Sequence, residues 1–557
     1  MRKFFVVLIV TFLFLVLPSE TFAGPNKVKL DLSYIYTVNS LGKLNIEISS
    51  KYTNESPGYL VTFPNKSEFL LYALKKYENK EDLIKSLDSQ LNSLKINLNN
   101  TPVTYTVDKK EDEYNVSFNI IKQIPYKQSL TVTKKYENID LIEHIGSIYN
   151  IYVPESPQIS AETLSNFNIS LTTKLIISKD LGPINFSTGE YKDDGKTYVF
   201  DLSSKENSKK THLIQIGSFQ TWKFKLLQKV DTKNSDNLNL IKYELELPHN
   251  DASLNQEVFF SSFIPLPEEV VSDPEGNLKA IYYLDSSVSE IVVEGFSILS
   301  IENNISDTFI PDKTKYTSPE IYWESDNPLI LNETSKFKST SNTDKLSETY
   351  DFVVGKVDYD NLKLGINNVR QGAVATLKNG SGVCMEYSDL LITLLRAQGI
   401  PARAVFGYGY DPTKKNTLPE KHQWVQAYIE GTGWVSLDPT WGNTSRRFIG
   451  SDFDHFSWFY STTNVDTPPE GIRLGTTTTD TTFNSPDIFI EPVEGKVLTE
   501  KLLKADELSY TFKLDTLNNL IFSIRTYINI KYLLIGLSVI FLIFIGSRVF
   551  LLIKHRR

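Results

Sequence analysis

Disulfide bonds within this chain are excluded, because its 557 residues include a single cysteine, Cys384. Exported animal proteins of such length usually carry paired cysteines, so an exported chain of this kind is typical of a bacterial or archaeal surface protein. Apolar cores must then stabilise it. No cluster of metal ligands, phosphate-binding glycine loop or serine-centred nucleophile motif stands out, and we predict no metal and no other cofactor.

Positive charge is also scarce. The sequence has 58 Lys and Arg against 67 Asp and Glu, which gives a net charge of -9. Nucleic-acid-binding domains usually present a basic surface, so we expect no nucleic-acid partner. The composition is that of a folded protein, with 41% hydrophobic, 22% charged and 12% aromatic residues. Abundant aromatic side chains favour strand-rich domains, and the length predicts several of them.

The first 23 residues are typical of a secretory signal peptide. Arg2 and Lys3 precede a mostly apolar run over residues 4–17, and Thr21-Phe22-Ala23 offers small residues for cleavage. We therefore predict a signal peptide over residues 1–23. The alternative is an uncleaved N-terminal anchor.

A second apolar segment, residues 532–553, is predicted to be a C-terminal transmembrane helix. It contains one charge, Arg548, and it supplies the roughly 20 apolar residues that are needed to cross the hydrocarbon core. The basic residues 554–557 then form a cytoplasmic tail and leave the body of the chain outside. We expect a single-pass protein of the cell membrane with an extracytoplasmic body.

The first half of the chain has the pattern of strands. Residues 29–34 and 222–228, for example, alternate polar and apolar side chains, although an amphipathic helix is predicted at 80–94. We predict two antiparallel β-sandwich-type domains, over residues 24–158 and 159–312. Their function is not legible from the sequence, and we interpret them as spacers or interaction modules.

After this region, apolar residues recur at helical intervals and predict helices at residues 344–357 and 371–377. Together with later strands it predicts an α+β domain over residues 313–465. The next segment, residues 466–531, begins with a threonine-rich stretch and is predicted to be a juxtamembrane spacer.

Cys384 is predicted to lie in the first turn of a helix. Gly399 and Pro401 end that helix, and its apolar side chains form a one-sided stripe: Tyr387, Leu390, Leu391, Leu394 and Leu395. Unpaired N–H groups and the helix dipole favour a thiolate at this position, and the N–H of Cys384 is suited to holding an oxyanion. The alternative is a small buried apolar residue, which is what most free cysteines are.

Two further candidate residues follow Cys384 in order. His422 begins one predicted strand (422–428), and Asp438 ends another (434–438). His422 is the candidate base that deprotonates Cys384. Asp438 is the candidate group that fixes the imidazole tautomer and supports its positive charge.

Four runs of residues resemble the bacterial and archaeal branch of the transglutaminase-like superfamily: Gly382-Val383-Cys384, Gly399-Ile400-Pro401-Ala402-Arg403, His422-Gln423-Trp424 and Gly433-Trp434-Val435-Ser436-Leu437-Asp438-Pro439-Thr440. The resemblance covers residues 319–460, about a quarter of the chain. It implies a papain-like fold for the α+β domain. It also implies a catalytic triad of Cys384, His422 and Asp438 that needs no metal.

Two features of the predicted site stay open. A plain hairpin that turns at residues 431–433 pairs Asp438 with Gln426, so Asp438 lies about four residues along the strand from His422. At about 3.3 Å per residue this is too far for a hydrogen bond, and twist, a bulge or a curled strand must close the gap. The second oxyanion donor is also unassigned, with Gln371 as a candidate.

The chemistry expected of this site is attack of a thiolate on a peptide or amide carbonyl. Water as second substrate makes the protein a peptidase or amidase, and a lysine-type amine makes it a cross-linking transglutaminase. Hydrolysis is slightly favoured because it needs no second binding site. The expected partners are a peptide or protein substrate, including cell-wall peptide. The alternative is a non-catalytic surface protein that binds peptide with the same fold. His455 is interpreted as structural, because His422 already fits the motif.

Overall fold

The computed structural model describes residues 28–508 with the exception of 58–60, 63–65, 74–78, 121–122, 156–167, 205–206, 208–210, 231–239, 304, 306–309, 365–368, 412–418, 445–447 and 464–485. The predicted signal peptide (1–23), transmembrane segment (532–553) and cytoplasmic tail (554–557) lie outside the described residues. Within the described part of the chain, no helix has the length and apolar character needed to cross a membrane.

The N-terminal region is built from strands, as predicted, with one long helix, Lys80–Ser93. Its largest sheet has eight strands in the order Tyr191–Asp193, Thr197–Asp201, Asn168–Ser178, Val28–Val38, Leu44–Asn54, Ser129–Glu137, Lys95–Leu98 and Thr101–Pro102. The smaller sheets are, in order, Ile142–Ile145, Ile148–Val153, His212–Ile216 and Ile184–Ser187; then Lys66–Tyr72, Glu113–Asn119 and Tyr105–Lys109; then Val61–Thr62 and Gln123–Ile124.

The predicted boundary between residues 158 and 159 does not separate two sheets. The strand Asn168–Ser178 pairs in parallel with Val28–Val38, so the largest sheet crosses that boundary and is not wholly antiparallel. The pairing is driven by burial, because Tyr36 and Leu175 lie in the same apolar cluster. Alternation in the sequence had identified which side chains face inward but not which strands become neighbours.

A second strand-rich region follows. Its five-stranded sheet runs Asp487–Val493, Phe219–Lys229, Glu290–Ser300, Gln256–Ile264 and Leu503–Lys504, and its three-stranded sheet runs Ile241–Leu247, Leu278–Leu284 and Glu269–Ser272. The strand Asp487–Val493 falls in the segment predicted to be a spacer (466–531). That prediction is wrong for this part, since Ile490 is buried in the core and the whole strand pairs with Phe219–Lys229.

The α+β region contains the remaining helices: Lys313–Thr317, Pro328–Thr334, Asn342–Lys356, Ala373–Asn379, Cys384–Ala397 and Pro439–Thr444. Its antiparallel sheet has the order Gly433–Leu437, Glu420–Ile429, Ala402–Gly409 and His455–Ser461, and a short parallel pair joins Asp358–Tyr359 to Ser381–Gly382. Short 3-10 turns occupy Lys179–Leu181, Ala252–Leu254, Asn361–Lys363, Thr499–Lys501 and Ala505–Glu507.

The α+β region shares its apolar core with the preceding sheets. Phe224, on the five-stranded sheet, contacts the rings of Phe456 and Trp458, with centroids 5.9 and 5.6 Å apart. All three side chains belong to one buried cluster that also includes the helix Cys384–Ala397. The predicted boundary at residues 312 and 313 is therefore a change of secondary structure within one packed unit, because the core continues across it.

The strand His455–Ser461, called the edge strand below, is held by amide side chains from the neighbouring sheets. Gln256 donates to the carbonyl of Ser457 at 2.8 Å and accepts from its N–H at 2.8 Å. Asn277 does the same for Tyr460, at 2.9 and 2.7 Å. These bonds satisfy buried backbone groups that would otherwise lack a strand partner, and they fix the strand that begins at His455.

Candidate active site

Cys384 is the first residue of the helix Cys384–Ala397, here called the cysteine helix. The carboxylate of Glu386 accepts a hydrogen bond from the backbone N–H of Val383 at 2.9 Å, which fixes the start of the helix. Gly382 is required there, because a Cβ at this position would lie 2.4 Å from Glu386. The N–H of Cys384 has no acceptor within the helix, since the first turn lacks preceding carbonyls, and it is available to a ligand.

The sequence predicted that the cysteine helix buries one apolar stripe. In the structure the helix is buried on all sides. Residues 385–396 are all buried, the polar Asp389 among them. Asp389 binds Arg370 through two hydrogen bonds of 2.8 and 2.6 Å and accepts another from Trp323 at 2.7 Å. Because its polar side chains are paired in this way, the helix can lie inside the core and hold Cys384 rigidly.

The register of one hairpin brings Asp438 to His422. The strand Glu420–Ile429 pairs with Gly433–Leu437 so that Gln426 faces Ser436 and not Asp438. Asp438 is therefore displaced towards His422 by two residues relative to the plain hairpin expected from the sequence. Nε2 of His422 hydrogen-bonds Oδ2 of Asp438 at 2.9 Å. The expected gap of four residues was wrong because the turn is centred one residue earlier in the chain, with Ile429 paired to Gly433.

Two glycines in the neighbouring strand make room for the imidazole. A Cβ on Gly409 would lie 3.1 Å from Trp441 and 3.3 Å from His422. A Cβ on Gly407 would lie 2.7 Å from Trp424. The ring of Trp441 stacks on that of His422, with centroids 5.9 Å apart and an angle of 22°. The imidazole is thus sandwiched and shielded, and 10% of its side chain is exposed.

The charges of Cys384, His422 and Asp438 support one another. Burial disfavours the imidazolium, but the Asp438 carboxylate and the hydrogen bond and negative charge of Cys384 raise the pKa of His422 to about 10. Burial likewise opposes ionisation of Asp438, yet the charge of His422 and hydrogen bonds from His422 and His455 hold the pKa of Asp438 well below its usual range. Since Nε2 of His422 faces Asp438, Nδ1 is left to face the thiol.

Further hydrogen bonds orient Asp438. Its Oδ1 accepts from the backbone N–H of Thr440 at 2.9 Å, and its main-chain carbonyl accepts from the hydroxyl of Tyr350 at 2.9 Å. The same hydroxyl accepts from the N–H of Phe448 at 2.8 Å. The carboxylate is therefore fixed on one oxygen by the backbone and offers the other oxygen to imidazole.

His455 also contacts Asp438, which the sequence had not suggested. Its Nε2 lies 3.4 Å from Oδ2 of Asp438, and its Nδ1 lies 3.0 Å from both carboxylate oxygens of Asp452. Asp452 was missed by the sequence analysis. The signal that identifies it is its position three residues before His455, at the start of the edge strand, where its carboxylate also accepts the N–H of His455 at 3.0 Å.

Comparison with known proteins matches the part of the chain that contains Cys384, His422 and Asp438. Residues 331–439 match the family described as the transglutaminase-like superfamily. The chain contains a transglutaminase-like domain. It is 36% identical over 86 residues to the uncharacterized protein YebA of Bacillus subtilis, and 39% identical over 67 residues to a protein-glutamine gamma-glutamyltransferase of Pseudomonas aeruginosa.

These likenesses are local. The two alignments cover 13% and 11% of this chain and 11% and 10% of those relatives. Among solved structures, a candidate cysteine protease from Cytophaga hutchinsonii is 17% identical over 52% of this chain and 96% of its own, with a TM-score of 0.33.

Two more residues of the transglutaminase-like domain lie near the thiol. Tyr359 pairs with Gly382, two residues before Cys384, and burial together with the nearby charge of Cys384 raises the pKa of its phenol. Sequence analysis missed Tyr359. Gln371, the candidate oxyanion donor, instead donates to the carbonyl of Ser381 at 2.8 Å and so supports the loop before Cys384.

A metal is not needed to explain the cluster of titratable side chains. One ligand atom each from His422, Asp438 and His455 lies within 4.8 Å of the others, which is a spacing that metal sites also show. Both imidazoles, however, point Nε2 at the same oxygen of Asp438 at hydrogen-bond distances of 2.9 and 3.4 Å. Because hydrogen bonds account for these contacts, we do not treat the three residues as metal ligands.

Proposed function

We propose that this chain is an extracytoplasmic thiol enzyme of transglutaminase-like type, anchored in the cell membrane by residues 532–553. Cys384 is the nucleophile, His422 the acid and base, and Asp438 the group that orients the imidazole. The observation that carries the proposal is the position of His422, which hydrogen-bonds Asp438 at 2.9 Å and also binds the thiol of Cys384.

The first half-reaction follows from this arrangement. The sulfur of Cys384 attacks a peptide or amide carbonyl, the C–S bond forms, and the oxygen takes up negative charge. The N–H of Cys384 at the helix start stabilises that charge. The C–N bond then breaks, and His422 gives its proton to the leaving amine. The product of this step is an acyl-enzyme and a free amine.

The second half-reaction returns the acyl group to an acceptor. Water gives hydrolysis, and a lysine-type amine gives transamidation; in both cases His422 removes a proton from the acceptor as it attacks the thioester carbonyl. The C–S bond then breaks, and the thiolate of Cys384 is released. We favour hydrolysis, because it needs no second binding site beside the thiol. The proposed substrates are peptides or proteins outside the cell, including cell-wall peptide. One relative is named as a protein-glutamine gamma-glutamyltransferase, so transamidation is the second reaction that the experiment tests.

The proposal is tested by labelling Cys384 in the full-length chain with iodoacetamide near neutral pH. We expect the thiol to react faster than free cysteine, and His422→Ala to slow it by about tenfold or more, because the imidazolium that favours the thiolate is lost. His144→Ala is the matched control, since His144 is exposed, stacks on Tyr149 and lies far along the chain from Cys384.

Two outcomes contradict the proposal. If Cys384 reacts no faster than free cysteine, or if His422→Ala leaves the rate unchanged, the site is not an activated thiol and the protein is better described as a peptide-binding surface protein. Where the thiol is activated, incubation with a peptide library and a labelled primary amine separates the two reactions. Peptide cleavage without incorporation of label supports hydrolysis, and incorporation of label supports transamidation.

A further inference from the structure

His455 lies between two carboxylates at the end of the edge strand. Its Nε2 is 3.4 Å from Oδ2 of Asp438, and its Nδ1 is 3.0 Å from each oxygen of Asp452. Asp452 is itself fixed, since its carboxylate accepts the N–H groups of Asp454 at 3.1 Å and His455 at 3.0 Å. A neutral imidazole has one N–H, so donation to both carboxylates requires the imidazolium form.

In the part of the chain that the structure describes, aromatic rings surround His455. Its side chain is fully buried, and the rings of Trp441, Phe448 and Trp424 lie 4.2, 4.4 and 4.9 Å from it. The titratable groups that face it are the carboxylates of Asp438 and Asp452 and the imidazole of His422, whose ring is 5.8 Å away. Water is excluded by the aromatic rings, so these charges act on one another with little screening.

We propose that His455, held by Asp452, is a positioning residue that binds the same oxygen of Asp438 as His422 does and keeps that carboxylate ionised and aimed at His422. The inference rests on the proposed function of Cys384, His422 and Asp438. It extends the triad into a chain of five residues in which charge alternates from Asp452 to Cys384. Without His455, the bonds from His422 and from the N–H of Thr440 would still hold the carboxylate, but a positive charge that stabilises its ionised form would be lost.

The positive charge of His455 has a consequence that a purely structural residue lacks. Removing a buried cation raises the pKa of every titratable group beside it, here Asp438 and His422. Protonation of Asp438 on acidification and deprotonation of His422 in alkali should both move to higher pH. Loss of packing alone would lower the rate at every pH and leave these midpoints unchanged.

The experiment measures alkylation of Cys384 in the full-length chain from pH 3 to pH 11, with neutral iodoacetamide and anionic iodoacetate as probes. The rise of the rate reports formation of the thiolate–imidazolium pair, and the fall of the iodoacetate-to-iodoacetamide ratio reports deprotonation of His422. The variants are His455→Gln, which keeps a donor without charge, and His455→Phe, which keeps neither. His249→Gln is the control, because His249 is also buried and bonds the carbonyl of Trp458, at 3.1 Å, on the same strand.

In both His455 variants, we expect the midpoint of the rise in alkylation rate and the midpoint of the fall in the probe ratio to shift to higher pH by about one unit. The maximal rate should fall further in His455→Phe than in His455→Gln, because the amide can still hold Asp438. The control His249→Gln should keep wild-type midpoints. Folded His455 variants that also keep wild-type midpoints overturn the inference.

A measurement on the protein without a His455 substitution keeps the inference testable if those variants do not fold. The chain has six histidines, and ¹⁵N labelling of their rings distinguishes imidazolium from the neutral form. In His422→Ala at pH 8, we expect one buried imidazolium to remain, and its absence overturns the inference. If wild-type Cys384 is no more reactive than free cysteine, the proposed function fails instead.

Discussion

Residues 28–216 pack mainly around two separate apolar clusters, whereas residues 219–508 share one cluster that includes the transglutaminase-like domain. Ile148 of the N-terminal region belongs to the larger core, and Ile145 packs against it. Regions with different secondary structure can therefore belong to one folding unit, and regions with similar secondary structure can belong to different ones. The strand-rich sheets next to the α+β region are part of its core, while the more distant sheets have cores of their own.

Both regions bury polar groups, and one example from each has a different consequence for stability. In the C-terminal region Asp251 and Gln426 bond at 2.9 Å, and Ser253 and Ser436 at 2.7 Å, so buried polar side chains meet across the two β-layers. In the N-terminal region the buried Lys134 lies over the ring of Phe69, with Nζ 4.3 Å from its centroid. Paired amides and hydroxyls fix a packing geometry, and a buried amine mainly costs stability.

The largest effect is expected from cutting the chain at the predicted boundary. A fragment of residues 313–465 should lack cooperative unfolding, because it exposes Phe456 and Trp458 and leaves the edge strand without its amide partners. A fragment of residues 219–508 should unfold cooperatively. Tryptophan fluorescence during denaturation measures this, since all six tryptophans (Trp222, Trp323, Trp424, Trp434, Trp441 and Trp458) lie in the longer fragment.

The shorter fragment retains Trp323, Trp424, Trp434, Trp441 and Trp458, so the same probe reports on both. Size-exclusion chromatography checks that each fragment is monomeric before unfolding is compared. A sharp transition in residues 313–465, with a denaturant dependence of the unfolding free energy close to that of the longer fragment, would show that the shared core is dispensable. The α+β region would then be a folding unit of its own.

A smaller effect is expected from the amides that hold the edge strand. Gln256→Ala and Asn277→Ala should each lower the free energy of unfolding of the C-terminal region by about 1–3 kcal/mol, because each leaves a buried backbone N–H and carbonyl without a partner. The measurement is equilibrium denaturation of the full-length chain followed by tryptophan fluorescence. Both effects are specific to this region, so the N-terminal sheets should unfold as in the wild type.

Asn332→Ala is the matched control for these two variants. Asn332 is an exposed amide on the helix Pro328–Thr334, in the same region that tryptophan fluorescence follows. Its removal should change stability by less than about 0.5 kcal/mol. Equal effects of all three substitutions would mean that burial of the amides at the edge strand contributes nothing particular.

Local sequence patterns were sufficient to predict the helix and strands that carry the site. They were not sufficient to predict contacts between residues far apart in the chain. The glycines before Cys384 and the Gly399-Ile400-Pro401 stop predict the cysteine helix, which the structure gives as Cys384–Ala397. The order of His422 and Asp438 after Cys384 predicts which two side chains pair, and the structure brings them to hydrogen-bond distance. These features depend on residues a few positions apart, where helix ends and strand periodicity act directly.

What the sequence could not predict depends on tertiary packing. The hairpin register differs by two residues from the expected one, because burial on both faces of the sheet selects the pairing. The contact of His455 with Asp438 depends on the edge strand reaching the sheet from a separate loop. The Gln256 bonds to Ser457 join residues 201 positions apart, and no local pattern encodes them.

The last predicted effect concerns the N-terminal region alone. Burial lowers the pKa of Lys134 to about 8, from 10.5 in an exposed lysine. Between these two values the unfolded chain binds the proton and the folded one does not, so stability should rise with pH there; below about 8 the full destabilisation is present. Lys134→Met should therefore raise the free energy of unfolding by about 3 kcal/mol at pH 7, and the gain should shrink towards pH 10.5.

Lys135→Met is the control, because Lys135 is exposed and its ion pair with Glu47 is 3.6 Å long, so little change is expected. Far-UV circular dichroism follows the whole chain, and tryptophan fluorescence follows the C-terminal region. If the two regions are separate units, Lys134→Met shifts the first signal and leaves the second where it was. A shift of both signals would show that the N-terminal cores and the shared core unfold together. A substitution that touches neither Trp222 nor the antiparallel sheet of the α+β region would then stabilise both regions.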